Sequence, residues 1–246
     1  MEFEDIWKWF CRLSLLIFII IVVNSILGDI LFRVKFSFPH VSQIATEPIN
    51  TYKEPVQIEL QNAKYLKIYG EKYRFAIQPQ AQYSLSGLIV AKNTNFWFRD
   101  VMRSKFDDVF LIDLGIVWGD LARDKVKLYK HWKFKSSKTL GQSRRLQWQS
   151  KPPYDDMPWD ISFVSSHVSH THIIPANSNV MGALLKIKKN DIVKIDGYLI
   201  DIYTEKAEAI GKSSLSRTDT DATSRGFGAC EEMYVKQVQI GNKIYK

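Results

Sequence analysis

The chain is predicted to be a mainly β domain, an antiparallel barrel or sandwich with one or two short helices, preceded by a single N-terminal transmembrane helix. Three observations predict this. Fifteen residues from Leu13 to Leu27 carry no charge. Beyond residue 55 the sequence breaks into about ten short apolar alternations separated by polar punctuation. Helical periodicity is rare there, which argues against alternating βαβ units.

The apolar opening extends from Trp9 to Phe32, 24 residues if Arg12 and Asp29 sit at its edges. A bilayer core needs about 20 residues of helix, so this stretch suffices with some tilt. A cleaved secretory signal has a shorter apolar region, and Ile26, Leu27, Ile30, Leu31 and Phe32 prolong this one past the tolerable cleavage site at Val23-Asn24-Ser25. Retention is further favoured by Trp7 and Trp9 before the span and Phe36 and Phe38 after it, since tryptophan in particular prefers the membrane interface. The expected layout is a cytoplasmic tail (1–12), an anchor (13–32), a linker (33–55) and a β-rich domain (56–246). Lys8 and Arg12 balance Arg33 and Lys35, so the positive-inside rule gives no orientation. A short tail followed by one span and a long folded region is the pattern of a signal anchor, which exports the domain. The absence of any Asn-x-Ser/Thr acceptor favours a bacterial envelope, with the anchor in the cytoplasmic (inner) membrane. Cys11 lies at the membrane boundary, too far from Cys230 for a disulfide. A domain of about 200 residues removes roughly 70% of its unfolded surface from water and needs no such staple.

Residues 39–55 hold three prolines and no sustained period, as a linker would. Strands are predicted at 56–60, 65–69, 73–77 and 83–90, with Gly70-Glu71 and Gln78-Pro79 as breaks. Further strands are expected at 109–117, 125–135, 145–149, 161–165, 192–203 and 233–240. Helices are expected at 96–106 and 179–189, the second capped by Ser178 and ending in Lys186, Lys188 and Lys189. The strand Asp191–Tyr203 carries Gly197 where a strand bulges or bends. A long bent strand suits a small closed barrel similar in shape to the oligonucleotide/oligosaccharide-binding type, a likeness that carries no function by itself.

Between Arg123 and Lys151 stand ten basic residues and one acid, Asp124, a local charge of +9 against +8 for the whole chain. Read as a strand, 125–135 places Val126, Leu128, Lys130, Trp132 and Phe134 on one, largely apolar face and Lys125, Lys127, Tyr129, His131, Lys133 and Lys135 on the other. With Arg144 and Arg145 this makes a cationic face, suited either to keeping an edge strand soluble or to an anionic partner. The partners considered are anionic lipid headgroups, an envelope polymer or an acidic protein, with membership of a larger membrane complex open. Interleaved aromatics also suit single-stranded nucleic acid, which an exported location disfavours.

Three of the five histidines fall within six residues, His167, His170 and His172. On a strand His170 and His172 share a face and are able to converge on zinc, while His167 faces the other way. No cofactor is otherwise expected. Structural histidines are the commoner outcome, and neither His-Glu-x-x-His nor paired Cys-x-x-Cys accompanies the cluster. Cys230 follows a long polar loop, Gly211–Gly228, and is either a small buried residue or a nucleophile partnered by a distant histidine. Asp113–Asp120, two acids and two glycines around Trp118, either shapes a ligand pocket or is a turn at the end of a buried strand, with the turn preferred. Gly-x-Ser-x-Gly and Gly-x-Gly-x-x-Gly are absent. The expected function is a membrane-anchored envelope binding or assembly module. An envelope hydrolase using the histidine cluster or Cys230 is the alternative.

Overall fold

Apolar alternation and side-chain caps decide the elements. The computed structural model describes residues 3–70, 72–94, 104–137, 145–213, 215 and 230–246. Helix α1 (Phe3–Lys35) is longer at both ends than the predicted anchor. Its stretch Ile6–Gly28 is long and apolar enough to cross a membrane, and none of it is buried by the rest of the chain.

The segment expected as a linker makes contacts with the domain. Strand β1 (Gln43–Ile44) pairs with β12 (Lys243–Tyr245). Asn179 holds the backbone of His40 from both sides, accepting from its N–H at 2.8 Å and donating to its carbonyl at 3.0 Å. Pro39 and Phe36 lie so close to Gly182 that a Cβ there would stand 2.6 Å from the Phe36 carbonyl oxygen. Only glycine admits that approach.

Strands β2 (Val56–Glu59) and β3 (Leu66–Tyr69) both pair with β4 (Arg74–Thr94). The two strands predicted around Gln78-Pro79 are one: β4 runs through, because the register slips between Pro79 and Ala81 and the proline, which has no N–H, sits at the bulge. The remaining large strands are β5 (Ile112–Val117), β8 (Val168–Pro175), β9 (Ile192–Thr204) and β11 (Cys230–Ile240), with β10 (Ala209–Lys212) on β9. The ten-stranded sheet follows the path β1-β12-β11-β8-β5-β4-β9-β10 and ends at two edges, so as a whole it is not the closed barrel expected as one possibility. Within it β11 also pairs with β9, so the ladders of β4, β5, β8, β11 and β9 form a circuit. Of these ladders only β8–β11 is parallel.

Inside the circuit lies the main core, with Leu85, Ile112, Leu114, Ile116, Ile173, Ile195 and Met233 fully buried. Each such side chain contributes about 1.5–3 kcal/mol. Helix α6 (Ser178–Lys186) closes one end, its apolar face packed on this core and its start capped by Asn177, not Ser178.

Two predicted strands are helices. Residues 125–131 form α4 (Lys125–His131), following α3 (Asp120–Arg123), because Asp124 accepts from the Lys127 N–H at 2.9 Å and caps the turn. Alternation over seven residues is also met by a short helix, which buries Leu128 and leaves Val126 82% exposed. Asp160 likewise caps α5 (Ile161–Ser166) where a strand was expected. Strands β6 (Trp132–Ser137) and β7 (Arg145–Ser150) pair antiparallel with each other and lay Trp132, Phe134 and Leu146 over the outside of the sheet. The expected helix at 96–106 falls mostly outside the described residues. What is described is α2 (Lys105–Val109), held by a capping box between Ser104 and Asp107.

Candidate metal centre

Along β5 the sequence Ile112-Asp113-Leu114-Gly115-Ile116 sends its branched residues into the core and turns Asp113 outward. Register then assembles a polar patch from three strands. Asp113 lies opposite His172, and His172 opposite Glu232. One step along, Gly115 lies opposite His170, and His170 opposite Cys230. The outward face is nevertheless covered. Leu146, Phe134 and Val168 close one end of it, and Val109, Phe110 and Ile174 the other. Asp113, His170, His172 and Glu232 are therefore all buried, and Cys230 is half-buried.

The geometry is close-knit. His172 Nδ1–H donates to Asp113 Oδ1 at 2.7 Å. Cys230 Sγ lies 3.3 Å from His170 Nδ1. The two imidazoles meet edge to face with centroids 4.5 Å apart, and Phe106 stands perpendicular to His172 at 4.9 Å. One ring nitrogen from each histidine and Sγ of Cys230 all lie within 4.8 Å of one another.

Burial, followed by the negative charges of Glu232, Asp113 and Glu231, pushes the Cys230 thiol up to about 12, against a smaller opposing effect of Arg145. Burial and the neighbouring Glu231 push Glu232 up to about 8. Protonation of Glu232 fits its position, since Oε2 is buried with no hydrogen-bond partner among the described residues. A nucleophilic cysteine needs surroundings that lower its pKa. These raise it, although the thiol touches an imidazole as the hydrolase expectation required.

His167 stands apart. At the C-terminus of α5 it stacks on Phe163 with centroids 4.1 Å apart, and Nδ1–H donates to the Phe163 carbonyl at 2.9 Å. Among the described residues it does not join the group of His170, His172 and Cys230. The sequence presents Asp113 only as part of a pocket or turn and Glu232 only as the end of a loop, because neither has a local motif that ties it to the histidines. Their only signal is position, an acid on the outward side of an apolar strand.

The cationic residues do not form the single row expected. Lys125 and Lys127 are exposed on α4, whereas Lys133 and Lys135 are exposed on β6 with Trp132 and Phe134 buried beneath the hairpin. Lys127 Nζ lies 5.5 Å from the centroid of Trp159. Arg145, at the start of β7, is exposed, and Arg144 lies outside the described residues. A cleft of about 500 Å³ is lined by Trp132, Trp148, Tyr154, Met157 and Trp159.

Comparison with known protein families, with curated proteins and with solved structures finds no match to this chain, so the chemistry of the site rests on its own geometry.

Proposed function

We propose that this chain is a single-pass, membrane-anchored binding or assembly module of the bacterial envelope, its β-rich domain on the outer side of the cytoplasmic membrane and its cationic surface directed at anionic lipid headgroups. The observation that carries the reading is α1: its apolar stretch Ile6–Gly28 is wholly uncovered by the domain, yet the chain from Phe36 onward is clamped to it. An apolar helix of this length left bare in water is a large liability, and a bilayer removes it. The clamp then keeps the domain beside the lipid surface.

The surface itself supports the lipid reading. Val126 and Ile161 are 82% and 64% exposed, and they share this part of the chain with Lys125, Lys127, Lys133 and Lys135 and with the tryptophan-lined cleft. Apolar, aromatic and cationic groups together suit the headgroup boundary. Each lysine near an anionic surface contributes about 1 kcal/mol.

The circuit of strands supports a domain like the oligonucleotide/oligosaccharide-binding type. Numbered within the circuit, β4, β5, β8, β9 and β11 are first to fifth, and their spatial order is 1-2-3-5-4 with closure back to 1. In such five-stranded Greek-key barrels ligands bind on the face of the second and third strands. Here those are β5 and β8.

The test uses the full chain reconstituted in vesicles, with the domain outward, and acylates exposed lysines. Phosphatidylglycerol vesicles are expected to protect Lys125, Lys127, Lys133 and Lys135 relative to phosphatidylcholine vesicles, and high salt to remove the protection. Equal labelling in both lipids would refute the lipid contact and direct attention to an envelope polymer or an acidic protein.

A further inference from the structure

We propose that His170, His172 and Cys230 bind a divalent transition metal of the zinc class, with Asp113 as the carboxylate that orients His172. On a tetrahedral zinc ion with metal–sulfur and metal–nitrogen distances of about 2.3 and 2.0–2.1 Å, neighbouring sulfur and nitrogen ligands stand about 3.6 Å apart. Cys230 Sγ and His170 Nδ1 are 3.3 Å apart, and one ring nitrogen from each histidine lies with Sγ in a set of three atoms all within 4.8 Å of one another. Small side-chain rotations close the remainder.

Three features argue for a metal rather than an ordinary thiol–imidazole hydrogen bond. The first is His172, whose Nδ1–H is committed to Asp113 at 2.7 Å, so that Nε2 is the nitrogen available as a donor. A ligating histidine characteristically gives its other ring N–H to a carboxylate in this way. The second is the donor set. Imidazole with thiolate selects zinc and its neighbours over magnesium or calcium, which take oxygen. The third is the placement of the donors on adjacent strands of a closed circuit, with Phe106 and Phe110 packed on His172. A rigid, partly apolar shell of this kind fixes ligands before the ion arrives.

On binding, the Cys230 S–H bond is exchanged for a metal–sulfur bond and the thiol proton passes to solvent, so uptake of each ion releases a proton. Three protein ligands leave the fourth position to water or another ligand, the pattern of open rather than purely structural zinc sites.

The test is metal uptake by the full chain purified in detergent, and its outcome is independent of where the domain sits on a membrane. Loading with zinc is expected to be equimolar. Cobalt(II) in its place is expected to give a thiolate-to-cobalt charge-transfer absorption together with the strong visible bands of a tetrahedral ion. Cys230→Ser should abolish the charge-transfer absorption, and His167→Gln should leave it intact. Asp113→Asn should retain the absorption with affinity lowered about 10- to 100-fold in competition with a chelator. Should the cysteine variant not fold, the parent spectrum decides alone. A cobalt spectrum without thiolate charge transfer, or equal metal content in folded Cys230→Ser, would overturn the assignment.

Discussion

Gly197 shows how much a single residue carries in this fold. A Cβ there would stand 2.0 Å from the carbonyl oxygen of Tyr234, a backbone atom that cannot turn aside. Strand β9 has β4 on one side and β11 on the other, and Gly197 lies where β11 shifts register between Val235 and Gln237. Gly197→Ala is therefore expected to cost about 3 kcal/mol, at the upper end of overpacking effects, read as a lower unfolding midpoint. An unchanged midpoint would mean that β9 and β11 separate without penalty. At the same scale the sequence singles out Gly197, His170, His172 and Cys230. It does not link Asp113 or Glu232 to them, because those contacts come from neighbours on other strands.

Among the elements, α4 and α5 are the instructive departures. Alternation over 125–135 is real, and its second half does form a strand with Lys133 and Lys135 outward. Its first half is claimed by a cap. Asp124 satisfies an N–H that an uncapped helix start leaves open, and His131 with Lys130 lies at the favourable C-terminal end. Asp124→Ala should then cost about 1 kcal/mol and lower the melting temperature by about 2–4 °C. A melting temperature equal to that of the parent would favour the extended conformation for 125–131. The two strands predicted either side of Pro79 fused for the converse reason. A proline at a bulge forfeits no ladder hydrogen bond, so it breaks the pattern without ending the strand.

For the whole molecule, the junction between α1 and the domain governs behaviour. Residues 36–51 are tied to α6, to β12 and to Gly119, the last through a hydrogen bond of 2.8 Å from its N–H to the Thr51 carbonyl. Asn179 is the centre of this clamp, since its Nδ2 also donates to the Lys246 carbonyl at 3.0 Å. Asn179→Ala is expected to loosen the segment and speed tryptic cleavage after Lys53 several-fold, while the core stays resistant. Cleavage at the parent rate would show that β1 and the Gly182 contact hold the segment alone.

By itself the sequence determined the local features: a long apolar helix near the start, a β-rich remainder, and two histidines spaced so that an extended chain turns both to one side. Each depends on residues close together in the chain, where period and turn chemistry act. Tertiary structure alone decided that the presumed linker is docked, that β11 closes a circuit through β9, and that Cys230 and Asp113 meet the histidines. Those contacts join residues about 60 positions apart through strand register. Register is fixed by which faces the whole sheet buries, and no single segment contains that information.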